Sequence, residues 1–149
     1  MHGLTFVLSQ LGFHVSFAFK EALEPLGLAL PHVGIMQLVG REPGQSQQAL
    51  ATKLGIPANR LVGMIDELEA RGLVRRDRPP TDRRVFALRL TADGERMVER
   101  VRQIGIAQEE RLTASLTPAE RDALTAQLQR LADAEGLTPG IHPGLRKFA

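Results

Sequence analysis

Cysteine, tryptophan and tyrosine are all absent from this 149-residue chain. Without a thiol there is no disulfide, no zinc–thiolate site and no thiol-based redox sensor within it. Aromatic content is confined to six phenylalanines, so tryptophan quenching has nothing to report. No apolar run is long enough to span a bilayer. The apolar N-terminal stretch lacks a basic leader and is broken by Ser9, Gln10 and His14, which argues against a signal peptide and for a cytoplasmic location. Also missing are a nucleophile–base pairing, a phosphate-cradling glycine loop and a metal-ligand spacing. The reading is therefore a non-enzyme without a cofactor.

Basic and acidic residues nearly balance, with a net charge of only +2, but the excess is unevenly spread. Residues 71–89 hold seven arginines against two aspartates, a local balance of about +5. A solvated charged face is the plain reading of such a cluster. Its position beside the motif described next favours contact with phosphates.

That motif is the spacing of Ala51, Gly55 and Leu61. A small residue lets two helices approach, a glycine takes the left-handed turn between them, and a leucine plugs the second helix into the first, as in a helix-turn-helix. Ser46 suits the N-cap of the first helix, Gln47 to Leu54, and Pro57 suits the first turn of the second. Leu61, Ile65 and Leu68 share an inward face with Met64 beside it, leaving Asn59, Arg60, Val62, Gly63 and Asp66 outward. After Arg71 and Gly72 the pattern turns extended. Phe86, Leu88 and Leu90 alternate with Val85, Ala87 and Arg89, and Leu73 to Asp77 is the expected partner strand. Two prolines stiffen the connecting tip, Arg78 to Arg83. Helix, helix and hairpin make a winged helix-turn-helix, a duplex-reading device.

Outside this region, Leu4, Leu8, Leu11, Val15, Ala18 and Ala22 form a helical seam, with Phe6, Phe13 and Phe17 off it. Both a core helix and a dimer-forming helix fit that pattern. Pro25 and Gly27 end the helix, and a second one follows Pro31. Thr91 caps a long helix expected to reach about Leu116, with Gly105 as a weak point or a site of close approach. Thr117-Pro118-Ala119-Glu120 is a capping box that opens a last helix carrying Leu124, Leu128 and Leu131. The tail from Gly136 is too rich in glycine and proline for regular structure, and is expected to lie across a partner or stay mobile.

The run GIPANRLVGMIDELEARGLVRRDRPPTDRRVFALRLTADG resembles the signature region of the MarR family, the multiple antibiotic resistance regulators. LEARGLVRR, Asp82-Arg83-Arg84 and LRLTADG at these separations carry the likeness, and the flanking helices follow the family's order. The resemblance implies a mainly α fold with a small β-hairpin wing (α+β). It also implies a bacterial or archaeal homodimer on a pseudo-palindromic operator, most often a repressor released by a small ligand. The implied organisation is a single chain with dimerisation helices and tail at 1–30 and 117–149, a winged helix-turn-helix lobe at 31–91 and a connecting helix at 92–116. The base-reading helix corresponds to Ala58 through Gly63, the minor-groove wing arginine to Arg84, and the acid that orients it to Asp82. Ser46, Gln47, Arg75, Arg78 and Arg83 complete the expected DNA-facing set. Gly63 stands where many members carry a basic or polar residue, which makes Arg60 the better reader of guanine.

The resemblance further implies a ligand crevice between the first, second and fifth helices, for which Phe13, Phe17, His32 and Met36 are the candidate lining. His14 and His32 do not sit at metal-ligand spacings, and packing or pocket lining is the reading for both. The alternative to a DNA-binding regulator is a winged-helix module that binds another protein and has little affinity for DNA.

Overall fold

The computed structural model describes residues 3–78 and 86–147. In order these form α1 (Leu4–Leu23), a 3-10 turn (Glu24–Leu26), α2 (Leu30–Arg41), α3 (Gln47–Leu54), α4 (Ala58–Ala70), β1 (Val74–Asp77), β2 (Ala87–Leu90), α5 (Ala92–Leu112), α6 (Pro118–Ala134) and α7 (Gly144–Lys147). The described residues are mainly helical with one antiparallel hairpin, as the sequence predicts.

Local chemistry explains most of the boundaries. Ser46 caps α3 by accepting from the Ala49 N–H at 3.1 Å. Gly55 ends that helix in the left-handed conformation, φ 66°, which a β-carbon disfavours. Pro57 is the N-cap of α4 rather than its first-turn residue. Thr91 caps α5 by accepting from Gly94 N–H at 3.0 Å and donates its own hydroxyl proton to the Gly72 carbonyl at 2.5 Å. α5 stops at Leu112 instead of Leu116, because the chain tightens into a turn in which Leu116 N–H donates to the Thr113 carbonyl. It runs unbroken through Gly105, which has open space where a β-carbon would sit.

The core lies between α2, α3, α4 and the hairpin. Val33, Ile35, Met36 and Val39 of α2 meet Leu50, Ala51 and Leu54 of α3, Leu61, Ile65 and Leu68 of α4, and Leu73, Val74 and Leu88 of the hairpin. Each fully buried aliphatic side chain contributes roughly 1.5–3 kcal/mol. In the hairpin Val74 faces Leu90 and Arg76 faces Leu88, so these four lie on one side, while Arg75, Asp77, Ala87 and Arg89 take the other. The loop after α2 joins the sheet: Gly44 N–H donates to the Leu88 carbonyl and Leu88 N–H to the Gln45 carbonyl. The wing is thereby stitched to the helix-turn-helix.

The two ends of the chain differ. Val15, Ala18, Phe19 and Leu23 turn α1 toward the protein, where Gln108 of α5 donates to the Val15 carbonyl at 2.6 Å. Leu4, Leu8 and Leu11 at its start remain exposed, as do Leu124, Leu128 and Leu131 of α6. The tail departs from expectation: it folds back on its own chain and includes one helical turn, α7, which packs on α2.

At the start of α6 the Thr117 N–H and hydroxyl both donate to the Glu120 carboxylate at 2.8 Å. The backbone bond first, then the hydroxyl, holds that carboxyl below its ordinary value of 4.5. A depressed folded value means the stabilisation is present above that pH and is lost as pH falls below it. Glu120→Ala is therefore expected to lower the melting temperature at pH ~6 and to have a smaller effect at pH ~3, a difference read from paired thermal melts.

Candidate nucleic-acid interface

α4 is amphipathic, and burying Leu61, Ile65 and Leu68 forces Ala58, Asn59, Arg60 and Gly63 into solvent. Val62 is half-buried. Arg60 has no acidic partner among the described residues, so its charge is available to an anion. Ser46 and Gln47 begin α3 nearby, but Gln47 accepts from Arg76 Nε at 2.7 Å and is engaged within the protein.

The described arginines of the cluster divide into two groups. Arg71 donates to the Leu26 and Gly27 carbonyls, each at 2.7 Å, and clamps the turn after α1. The side chain of Arg76 is only 14% exposed and pairs with Asp66 and Glu69 of α4 besides Gln47 of α3. These two are structural. On the outer face of the hairpin Arg75 lies opposite Arg89, a like-charge pairing relieved by Asp77, whose Oδ2 is 3.4 Å from one and 3.3 Å from the other. Arg78 packs over the Phe86 ring with its Cζ 5.2 Å from the ring centroid, keeping its charge while losing side-chain freedom. The candidates Asp82, Arg83 and Arg84 lie outside the described residues.

Sequence reasoning missed Arg76 as the bolt between wing and reading helix. A signal existed: Val74 and Arg76 share the inward face of a strand, and Asp66 and Glu69 are spaced to share a side of a helix. It also missed Glu67. His32 Nδ1 accepts from the Ala29 N–H at 3.1 Å, so its proton is on Nε2 and is donated to Glu67 at 2.9 Å. His32 thus fastens the start of α2 to α4, at the edge of a groove it shares with Asn59, Arg60 and Gly63.

A cavity of about 280 Å3 lies between α1, α2 and α5, lined by Val15, Ser16, Phe19, Leu30, Val33, Gly34, Gln37 and Gln108 and bordered by Gly140, His142 and Leu145 of the tail. The four candidate lining residues sit elsewhere. Phe13 and Phe17, 75% and 51% exposed, stack on each other with centroids 6.2 Å apart on the outer side of α1. Met36 is fully buried in the core, and His32 borders the groove along α4. Among the described residues no three of His, Asp and Glu are placed to share a metal ion, and His14 is exposed on α1. No single described helix is long and apolar enough to cross a membrane.

Residues 26–85 match the family model described as MarR family. A protein of Thauera aromatica whose name associates it with transcriptional regulation of the hcr operon is 33% identical over 138 residues, which span 87% of this chain and 83% of that protein. Among solved structures, the transcriptional repressor CouR bound to a 23-mer DNA duplex is 34% identical with a TM-score of 0.72, covering 87% of this chain and 92% of its own. A crystal structure of MarR is 25% identical with a TM-score of 0.74, covering 90% and 91%. With its helix-turn-helix, its hairpin and these relatives, the chain belongs to the MarR family of winged-helix transcriptional regulators.

Proposed function

We propose that this protein is a homodimeric, sequence-specific DNA-binding regulator that represses transcription from a pseudo-palindromic operator until a small ligand releases it. It acts in the cytoplasm of a bacterium or archaeon, without catalysis. The observation that carries the reading is the Arg76 bolt: by tying β1 to α3 and α4, it fixes the position of the arginine-bearing hairpin relative to the helix whose start is exposed. The structure of CouR seated on a duplex supports DNA as the partner of that surface. Exposed Leu4, Leu8 and Leu11 on α1 and Leu124, Leu128 and Leu131 on α6 support pairing of two chains, since so many apolar side chains left in water invite a second copy. The 280 Å3 cavity supports the ligand.

In this reading Arg60 recognises a guanine edge, Arg75 and Arg78 hold phosphates, and Arg84, oriented by Asp82, enters the minor groove. The test is selection of bound sequences from a random duplex pool, followed by affinity of the best site against salt. A slope of about −0.9 per neutralised phosphate is expected. Arg60→Ala is expected to cost about 1–3 kcal/mol on the best site and less on variants altered at its base, whereas Arg75→Ala weakens all sequences alike. Equal losses across a panel of altered sites for both substitutions, or binding that ignores salt, contradicts the proposal.

A further inference from the structure

The tail is more than a cover. Leu145 is 4% exposed and seats against Gly34 of α2, where an added β-carbon would stand 2.9 Å from Leu145 Cδ1. Gly140, with φ 72°, passes so close to Arg41 that its own β-carbon would lie 2.8 Å from Nη1. Two cavities flank this crossing. One is the largely apolar space of about 280 Å3 against Val15, Phe19 and Val33. The other, about 350 Å3, is edged by Arg41, Glu42 and Lys53. Both are lined by the same Gly34, Gln37, Gly140 and Leu145. They are two halves of one cleft along α2, separated by the tail.

The halves differ in chemistry. Among the described residues the first has no Asp, Glu, Lys or Arg in its lining. In the second, Lys53 is paired with Glu42, while Arg41 has no acidic partner among the described residues. An apolar chamber joined to an uncompensated guanidinium suits a molecule with a hydrophobic body and an anionic head.

We propose that residues 138–145 are a strap dividing an effector cleft, and that an amphipathic organic anion binds by lifting Leu145 from Gly34, its body entering the apolar chamber and its head reaching Arg41. The proposal rests on the effector reading of the cavity given above. The strap and the ligand compete for the same apolar wall of α2, so the strap sets the concentration at which the ligand takes hold.

The test uses the full-length protein and anilinonaphthalene sulfonate, an amphipathic anion whose emission rises in dry surroundings, with decanoate and decanol as competitors sharing one apolar body. Leu145→Ala is expected to tighten both competitors about tenfold, by raising the fraction of chains with an open cleft. Gly34→Ala, which pushes Leu145 off its seat, is expected to act in the same direction. Arg41→Gln is expected to weaken decanoate about tenfold and leave decanol unchanged. In the unaltered protein, decanoate is expected to speed hydrogen exchange at the Leu145 amide, which donates to the His142 carbonyl at 3.0 Å.

Unchanged or weaker competitor binding in Leu145→Ala and Gly34→Ala, or an Leu145 amide that ignores decanoate, overturns the strap. Equal losses of decanoate and decanol in Arg41→Gln overturn the role of the head group. Duplex affinity is measured separately. If the strap variants respond as expected while decanoate leaves DNA binding untouched, the strap stands and the effector reading falls. Release of DNA by decanoate with no response to Leu145→Ala has the opposite meaning.

Discussion

Replacing Gly94 with alanine is expected to lower the unfolding free energy by about 1–3 kcal/mol, read as a lower urea midpoint at unchanged slope. Gly94 lies in the first turn of α5, where that helix presses against the entrance to β1. A β-carbon there would stand 2.0 Å from the Leu73 carbonyl oxygen, a backbone atom that cannot swing aside. The same oxygen accepts from the Thr91 N–H at 3.1 Å, so moving it also strains the bond that starts α5. Overpacking costs about 1–3 kcal/mol and a disturbed backbone hydrogen bond about 1 more, against a gain of nearly 1 for alanine over glycine in a helix. The clash wins. Gly63→Ala is the control: with nothing within 4 Å of its added carbon, it is expected to stabilise slightly. A Gly94→Ala protein with an unshifted midpoint contradicts the packing described here.

The second large effect is expected at Arg76. Methionine at this position keeps the aliphatic bulk but leaves Asp66 and Glu69 on α4 without their counterion and Gln47 without its donor. Lost charge-assisted hydrogen bonds of this kind cost about 2 kcal/mol in stability. The effect on duplex binding is expected to be larger, roughly twentyfold or more, because two uncompensated carboxylates then face a polyanion and the wing no longer holds its angle to the helix. Anisotropy of a labelled duplex at fixed salt measures this. Adding Asp66→Asn and Glu69→Gln to Arg76→Met is expected to recover the electrostatic share and not the positional one. An affinity within twofold of the unaltered protein removes the bolt from the account of binding.

The features legible in the sequence are those whose causes are local. Ser46, Gly55, Thr91 and the Thr117–Glu120 pair each satisfy or terminate a helix through neighbours a few residues away, so reading the residue types in order locates them. The helix-turn-helix was equally readable because Ala51, Gly55 and Leu61 act over one turn. Arg71 and Arg76 were opaque for the opposite reason. Their partners at Leu26, Gly27 and Gln47 come from distant parts of the chain, and a count of arginines treats a clamp and a free cation alike. In α1 the difficulty is periodicity itself. A helix apolar on several sides offers both Phe13 with Phe17 and Val15 with Phe19 as an inward face, and only packing against α5 selects the second pair. The tail misled by composition: five glycines and prolines around Leu145 prevent a long helix but not one turn anchored by a single leucine.

One consequence concerns α2. Its first turn is pinned by His32 to Glu67, and just past its last residue the chain is hydrogen-bonded through Gly44 and Gln45 to Leu88 of the wing. A rod held at one end on the reading helix and at the other on the hairpin behaves as a lever. Over its twelve residues, about 18 Å long, a tilt of ~5° about His32 displaces the far end by about 1.5 Å. Whatever wedges against the flank of α2 therefore alters the span between the two elements that grip a duplex, without touching either of them.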